Sequence, residues 1–287
     1  MNAQTVLTLG QEALLMVLMV SAPVLGTALL VGLLVSLFQA VTQIHEATLA
    51  FVPKLLAVFT SAPVLSSRAF PMRAKVALSF LVALAAQATL PEAPVISVSD
   101  PRALAVVMQQ VVIGLSIGFA VRLVFASVEL AGEVVGFQMG LNFAAFFDPS
   151  MNTQSSAVAR FFGQMASLLF VVMNGHLMVL MAVTQSFVAF PVSPNFLQEL
   201  ASMQLQKLGA EVFASALWIA LPMVGILLFT NMALGIISRV SPQMNIFAIG
   251  FPITLVVGIL AIAITLPMLD QPFMALMIRV VSLFGVG

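Results

Sequence analysis

The chain has 287 residues, of which 62% are hydrophobic and only 7% are charged. A composition this apolar lies outside the range of soluble globular domains and indicates an integral membrane protein. Ten Lys and Arg residues balance ten Asp and Glu residues without any basic tract, which excludes a nucleic-acid-binding surface. Cysteine is absent, which excludes disulfide frameworks, thiolate nucleophiles and Cys-type metal sites.

The first element predicted along the chain is a helical hairpin. An apolar run at 13–38 exceeds the length of about 20 residues that crosses a bilayer, and a shorter run at 49–65 follows it. Between them, residues 39–48 form a polar turn. Its candidate polar residues are Gln39, Gln43 and Glu46. No basic region precedes the first run, so a cleavable signal peptide is not expected.

A basic segment at 66–75 contains three cations and no acid, so the positive-inside rule places it in the cytoplasm. A short helix is predicted at 76–90 and a proline-punctuated loop at 91–102. A long helix is predicted over 103–146. It ends before Pro149, because proline cannot continue the hydrogen-bond ladder and restricts the residue before it.

The long helix carries two contrasting stripes. Glycines at four-residue spacing predict a seam where another backbone comes close, namely Gly132, Gly136 and Gly140. About 100° away lies a bulky apolar stripe with two apolar neighbours. This set is Phe137, Met139, Phe143, Phe146, Phe147 and Met151. We expect a helix that packs on one side and carries a soft apolar stopper on the other, with ordinary core packing as the alternative for the stripe.

Three charged residues of the long helix, Arg122, Glu129 and Glu133, share one face at spacings i, i+7 and i+11. Charges at membrane depth are costly, and they usually face a partner or a wet cavity. They either pin neighbouring subunits together or couple ions in a transporter. The adjacent glycine seam favours the first role, which is also assigned to Lys54.

The C-terminal part reads as three further apolar helices. A polar loop at 150–156 leads to a helix at 157–187, and a linker at 191–210 leads to a closing hairpin. The hairpin comprises runs at 211–237 and 246–267. The polar residues singled out in its turn are Gln243 and Asn245. This hairpin resembles the first one in its early proline and glutamine-bearing turn, which suits an assembly of like units, although chance similarity is the alternative.

Catalytic chemistry is poorly supported by the sequence. The two histidines, His45 in a turn and His176 within a helix, lack carboxylates at the spacing of a metal site or catalytic triad. We therefore expect no enzyme activity, no metal and no cofactor.

Several motifs resemble known families. The sequence at 136–149, the triplet Asn174-Gly175-His176 and the sequence at 241–252 together resemble the FliR family of flagellar type III export-gate proteins. This resemblance covers about residues 60–287. Residues 1–59 resemble instead the FliQ family, a small two-helix gate subunit, through motifs such as Gln43-Ile44 and Pro53-Lys54.

The two resemblances predict a FliQ-like segment at 1–59 joined to a FliR-like domain at 60–287. Our hypothesis is that a fusion or an in-frame deletion has joined two neighbouring genes, either in nature, by design or through an error in the gene model. Two separate intact reading frames at the locus would refute a natural fusion. The join creates a conflict of topology. A FliQ-like polar turn faces the cytoplasm, so one crossing would place the basic segment 66–75 on the opposite side.

The resemblance implies an all-α, multi-helix protein of the inner membrane and the flagellar basal body. The chain would consist of helical hairpins and would form part of a spiral assembly. Its partners would be FliP and FliQ subunits, the FlhB and FlhA components, membrane lipids and unfolded flagellar substrates. The subunit would form part of the export channel, with the Phe and Met stripe as a deformable plug. The alternative is a secondary transporter that uses Arg122, Glu129 and Glu133.

Overall fold

The computed structural model describes residues 31, 45–67, 70–86, 102–141, 156–190, 206–241 and 246–285. These residues form eight α-helices and no β-strand, which confirms the predicted all-helical fold. The helices are α1 (His45–Ser61), α2 (Met72–Ala86), α3 (Arg102–Gln138), α4 (Ala157–Val172), α5 (Gly175–Ala189), α6 (Gln206–Val240), α7 (Ile246–Thr265) and α8 (Asp270–Ser282). A 3-10 turn, Leu266–Met268, joins α7 to α8.

The chain forms two compact units, Met1–Thr48 and Leu49–Gly287. Helix α1 begins at His45. Its start corrects the prediction of a polar turn through residue 48. Glu46 therefore lies within α1. The other predicted turn residues, Gln39, Gln43, Gln243 and Asn245, lie outside the described residues.

Three of the described helices are long and apolar enough to cross a membrane: Ala103–Gln138, Leu208–Val240 and Ile249–Met268. Helices α4 and α5 form a fourth candidate span only as a pair, because they are bent by 69° at a short break. The spans agree with the expected multi-pass membrane protein.

The break between α4 and α5 corrects the single helix predicted at 157–187. Asn174 has φ 56° and ψ 32°, a left-handed conformation that asparagine tolerates better than most residues. At the next position, a Cβ on Gly175 would lie 2.5 Å from Cδ2 of Phe170. The Asn-Gly pair therefore breaks the helix, and glycine leaves room for the Phe170 ring at the bend.

Helix α3 is the centre of the described fold, since it packs against α4, α5, α6 and α8. In its most apolar window 56% of the residues are buried, whereas the corresponding windows of α6 and α7 are 28% and 22% buried. The core residues of α3 recur at helical spacing along one broad face: Ile113, Ile117, Ala120, Val121, Val124, Phe125, Val128, Ala131 and Val135.

Helix α8 was not predicted from the sequence, because it is too short and too polar to be identified as a membrane-spanning helix. Its apolar residues Phe273, Met277 and Val280 are spaced i, i+4 and i+7 and are all buried. The Phe273 ring meets Phe125 of α3 edge to face at 5.9 Å between ring centroids. A partly exposed ion pair at 3.5 Å, Arg279 to Glu211, also links α8 to α6.

Candidate functional site

The end of α3 is set by Gly140. The Gly140 N–H donates to the Phe137 carbonyl at 3.0 Å, and the Leu141 N–H donates to the Gly136 carbonyl at 3.2 Å. With φ 79° at Gly140, these bonds form a Schellman motif, the usual way in which glycine ends a helix. The helix therefore ends at Gln138. The prediction that it continues to residue 146 is wrong, because the third seam glycine acts as a helix terminator.

This ending separates the residues of the predicted stopper. Phe137 is 65% exposed, whereas Met139 is 2% exposed and lies against α7. A Cβ on Gly258 of α7 would lie 2.5 Å from Cγ of Met139, and the Thr254 hydroxyl donates to the Met139 carbonyl at 3.4 Å. The remaining members of the set, Phe143, Phe146, Phe147 and Met151, lie outside the described residues.

The first two seam glycines lie against α4 of the same chain. A Cβ on Gly132 would lie 2.7 Å from Cα of Ala159, and a Cβ on Gly136 would lie 2.9 Å from Oγ of Ser156. A side chain at Gly132 would therefore push against the backbone of α4, whereas one at Gly136 would displace the Ser156 side chain. The described residues thus place an intrachain helix contact at the seam, where the sequence reading expected a neighbouring subunit.

The carboxylates next to the seam also face α4. The Ser156 N–H donates to Oε1 of Glu133 at 2.9 Å, while the Ser156 hydroxyl accepts from the Ala159 N–H at 3.1 Å. Glu133 and Ser156 therefore cap the N-terminus of α4 together, and the carboxylate complements the positive end of the helix dipole. We call this arrangement, with Gly132 and Gly136, the α3–α4 corner.

The other two charged residues of the predicted stripe lie at the surface of the described fold. Arg122 and Glu129 are exposed, and a Cβ on Gly163 of α4 would lie 2.8 Å from Oε1 of Glu129. An intersubunit role for Arg122 and Glu129 stays a prediction. For Glu133, the cap on α4 gives a partner within the chain, and its pairing with a cation of another subunit stays a prediction.

Lys54 is buried within the chain, with 0% of its surface exposed. Its Nζ donates to the Ser186 hydroxyl of α5 at 3.0 Å and lies 3.4 Å from the centre of the Phe187 ring, a cation–π geometry. The Phe187 ring also stacks on Phe51 at 3.9 Å between centroids. This enclosed position corrects the expected pairing of Lys54 with a neighbouring subunit.

Two small-residue contacts of α3 hold α1 beside this lysine. A Cβ on Gly114 would meet the Lys54 carbonyl, and a Cβ on Gly118 would meet the Ser61 hydroxyl. The four-residue spacing of Gly114 and Gly118 is the small-xxx-small pattern that lets membrane helices pack closely. The sequence contains this pattern, but nothing in it reveals that α1 is the partner.

An apolar cavity of about 330 Å³ lies where α3 ends, α4 begins and α7 passes. Its lining residues are Met139, Leu141, Ala157, Val158, Phe161, Leu255, Ile259 and Ile262. The α3–α4 corner therefore borders this apolar cavity. Backbone and side-chain hydrogen bonds hold the chain in place at Leu141 and at Ser156.

Together the fold and these contacts define a multi-helix membrane protein, organised around one central helix that packs against its neighbours in the chain. Comparison with known proteins gives the family. The model of the bacterial export proteins, family 1, matches residues 46–280, and the model of the bacterial export proteins, family 3, matches residues 5–71. The chain belongs to family 1 of the bacterial export proteins.

Curated relatives agree with this assignment. The chain is 39% identical over 222 residues to the flagellar biosynthetic protein FliR of Escherichia coli strain K12, covering 77% of this chain and 84% of the relative. It is 40% identical over 222 residues to the protein of the same name from Pectobacterium carotovorum, with the same coverage. A Buchnera aphidicola relative of that name is 33% identical over 221 residues, covering 77% and 85%. The relatives and the family 1 model confirm the FliR-like resemblance, and the family 3 model confirms the FliQ-like resemblance.

Proposed function

We propose that the chain is a structural and gating subunit of the flagellar type III protein-export gate. The observation that carries this proposal is the family 1 match over residues 46–280, which nearly coincides with the compact unit Leu49–Gly287. The relatives that match it are named for flagellar biosynthesis. In this role the chain forms part of the channel through which unfolded flagellar proteins leave the cytoplasm.

The α3–α4 corner supports a gating role. The two helices approach closely at glycines, and hydrogen bonds hold the chain at Leu141 and Ser156, on either side of the segment 142–155. That segment contains three phenylalanines and one methionine. We propose that the corner presents these phenylalanines and this methionine to the channel, where bulky and flexible side chains re-pack around a passing chain.

Exposed apolar helices support a place within a larger assembly. Large side chains of α6 and α7 point outward, among them Trp218, Phe229 and Ile264, which are each at least 70% exposed. Such faces suit contact with lipid or with other membrane subunits. We propose that FliP and FliQ subunits and the FlhB and FlhA components are the neighbours, in the bacterial inner membrane.

We also propose that the protein is not an enzyme. The polar groups with defined geometry in the described residues serve packing: Glu133 caps a helix, and Lys54 holds α1 to α5. Neither arrangement directs a nucleophile or an acid–base pair at an open pocket.

The test of the proposed function is complementation. An Escherichia coli strain deleted for its FliR gene should regain swimming when this chain is expressed, and the chain should co-purify with the gate subunits of that strain. A variant with Gly132→Leu, which we expect to misfold at the α3–α4 corner, is the matched negative control. Proton-coupled uptake by the purified chain alone, without restored swimming, would favour the transporter alternative.

The proposed plug has its own test in the complete gate. Replacing Phe143, Phe146 and Phe147 together by Ala should make resting membranes leak ions, because an apolar constriction closes through side-chain bulk. The same three positions replaced by Leu should keep the seal, since volume and apolarity are largely retained. Conductance that is equally negligible in wild type and both variants would contradict a plug at this segment.

A further inference from the structure

The start of helix α2 carries cations that have no acidic partner. Arg73 and Lys75 lie in its first turn, which contains no acidic residue. The nearest acids in the sequence are Glu46 and Glu92, far away on either side. Within the described residues neither Arg73 nor Lys75 forms an ion pair. This part of the surface therefore keeps a positive charge that the described part of the chain does not compensate.

Large apolar side chains are exposed beside these two cations. Phe70 is 54% exposed and Met72 is 57% exposed, and Val76 is exposed as well. Met72 directly precedes Arg73, and Val76 directly follows Lys75. We call these five residues, Phe70, Met72, Arg73, Lys75 and Val76, the basic–apolar patch. A surface that mixes cations with exposed apolar side chains suits the boundary between lipid headgroups and hydrocarbon.

The rest of α2 extends the exposed apolar surface. Leu78 and Leu81 are exposed, whereas the buried residues of this helix are the small residues Ser79 and Ala83. A helix with a basic first turn and exposed leucines beyond it can place its cations at the headgroups and its leucines in the acyl chains. The exposed surface around the patch therefore fits a lipid better than an acidic protein segment, which would match the charges alone.

We propose that the basic–apolar patch binds anionic phospholipids of the cytoplasmic leaflet. Arg73 and Lys75 contact the phosphates, and Phe70 and Met72 enter the upper part of the acyl region. The anionic lipids of that leaflet attract Lys and Arg residues next to membrane helices. It is also the leaflet to which the positive-inside rule assigns this segment. The proposal is independent of the function in export, because it concerns only how the chain binds the bilayer.

The experiment measures which lipid contacts the patch, using the full-length chain. Its single tryptophan is Trp218 of α6, so the combination of Trp218→Phe with Phe70→Trp places the only tryptophan in the patch. The purified protein is reconstituted into vesicles of equal parts phosphatidylcholine and phosphatidylglycerol, in which one lipid or the other carries brominated acyl chains. Quenching of the tryptophan fluorescence by each brominated lipid gives the preference for phosphatidylglycerol over phosphatidylcholine.

We expect the patch tryptophan to prefer phosphatidylglycerol by about fivefold or more, the factor that a single cation near an anionic leaflet contributes. Adding Arg73→Gln and Lys75→Gln should abolish the preference, because both contacts to the phosphates are removed. Exchanging the two cations, by Arg73→Lys with Lys75→Arg, should keep it. The native Trp218 has no charged residue within one helical turn in the sequence, so the unmodified chain should show no preference.

A charge-matched control removes two cations elsewhere. Arg239 of α6 and Arg279 of α8 are both exposed, and Arg239→Gln combined with Arg279→Gln should leave the preference at the patch unchanged. A loss as large as that caused by Arg73→Gln with Lys75→Gln would mean that only net charge matters, and it would overturn the proposal.

Two further results would contradict lipid binding at the patch. Equal quenching by the two brominated lipids in the Phe70→Trp protein would show that anionic lipid is not selected. Weak quenching by both lipids would place the patch away from the bilayer, as expected if it docks on a protein partner. Either result would overturn the proposal and leave the function in export standing.

Discussion

The glycines of α3 and those of α6 occupy opposite environments, although both helices are long and apolar. Cβ atoms added to Gly114, Gly118, Gly132 or Gly136 of α3 would collide with another part of the chain. Cβ atoms added to the α6 glycines, Gly209, Gly225 and Gly235, would meet nothing within 4 Å. The glycine positions of α3 are thus closed by its own chain, whereas those of α6 are open, although α6 packs against α3 through other residues.

This difference indicates that the small residues of the two helices have different roles. Small residues on α3 let α1 and α4 approach closely, which fixes the interior of the unit. Small residues on α6 leave an apolar surface free for lipid or for other subunits. The predictions below break or sharpen this contrast, from the largest expected effect to the smallest.

The largest effect is expected from a bulky residue at the α3–α4 corner. Gly132→Leu forces the backbone of α4 away from α3 and should destabilise the folded chain by about 3 kcal/mol, the upper range for overpacking. The matched control is Gly225→Leu on α6, which should change stability little. Unfolding midpoints in detergent measure both. Equal destabilisation by the two variants would remove the contrast between the helices.

Next in size is the contact between Lys54 and Ser186. Ser186→Ala deletes the acceptor of a buried amino group and should cost about 2 kcal/mol, because a buried donor is left without its partner. Combining Ser186→Ala with Lys54→Met should recover most of that loss, because an apolar pair of similar volume replaces a buried polar pair. A double-mutant cycle in detergent measures the coupling. Strictly additive effects would contradict the contact.

A smaller effect is expected at the cap of α4. Glu133→Ala removes both the acceptor for the Ser156 N–H and the negative charge at the helix start, and it should cost about 1 kcal/mol. Glu133→Gln keeps an acceptor and loses only the charge, so its cost should be about half of that. Thermal unfolding of the monomer in detergent checks this order. If monomer stability stays the same while subunit assembly is lost, Glu133 acts between chains.

The smallest effect concerns Gln110, which is fully buried on α3. Within the described residues neither of its amide atoms has a hydrogen-bond partner. An unpaired buried amide costs free energy, so Gln110→Met should leave stability unchanged or raise it by about 1 kcal/mol. The unfolding midpoint of the purified chain tests this. A clear loss of stability would mean that the amide is satisfied by a partner group.

The apolar spans were predictable from the sequence because length and hydropathy define them almost alone. Residues that end or break a helix were harder to predict. Gly140 fits a seam at four-residue spacing and equally a helix end, and only the backbone conformation decides between them. The Asn174-Gly175 break has the same ambiguity, since single glycines are common in membrane helices.

Contacts between distant residues could not be predicted at all. Ser186 lies 132 positions after Lys54, and no pattern in a single sequence pairs a serine with a lysine at that separation. For the same reason the glycine seam was expected to meet another subunit. Spacing identifies a surface that accepts a backbone, but it does not identify the backbone that fills it.

The central claim, that α3 is closed by its own chain, is tested most directly by a cross-link across the α3–α4 corner. A Cβ on Gly136 would lie 3.4 Å from the Cβ of Val158, near the separation of about 3.5 Å at which disulfides begin to form. The chain lacks cysteine, so Gly136→Cys combined with Val158→Cys supplies the only thiols. Oxidation in native membranes should give a disulfide within one chain that migrates as a monomer, and Gly136→Cys alone should give no dimer. A disulfide-linked dimer from Gly136→Cys alone, with no intrachain bond in the double variant, would contradict the claim and return the seam to a neighbouring subunit.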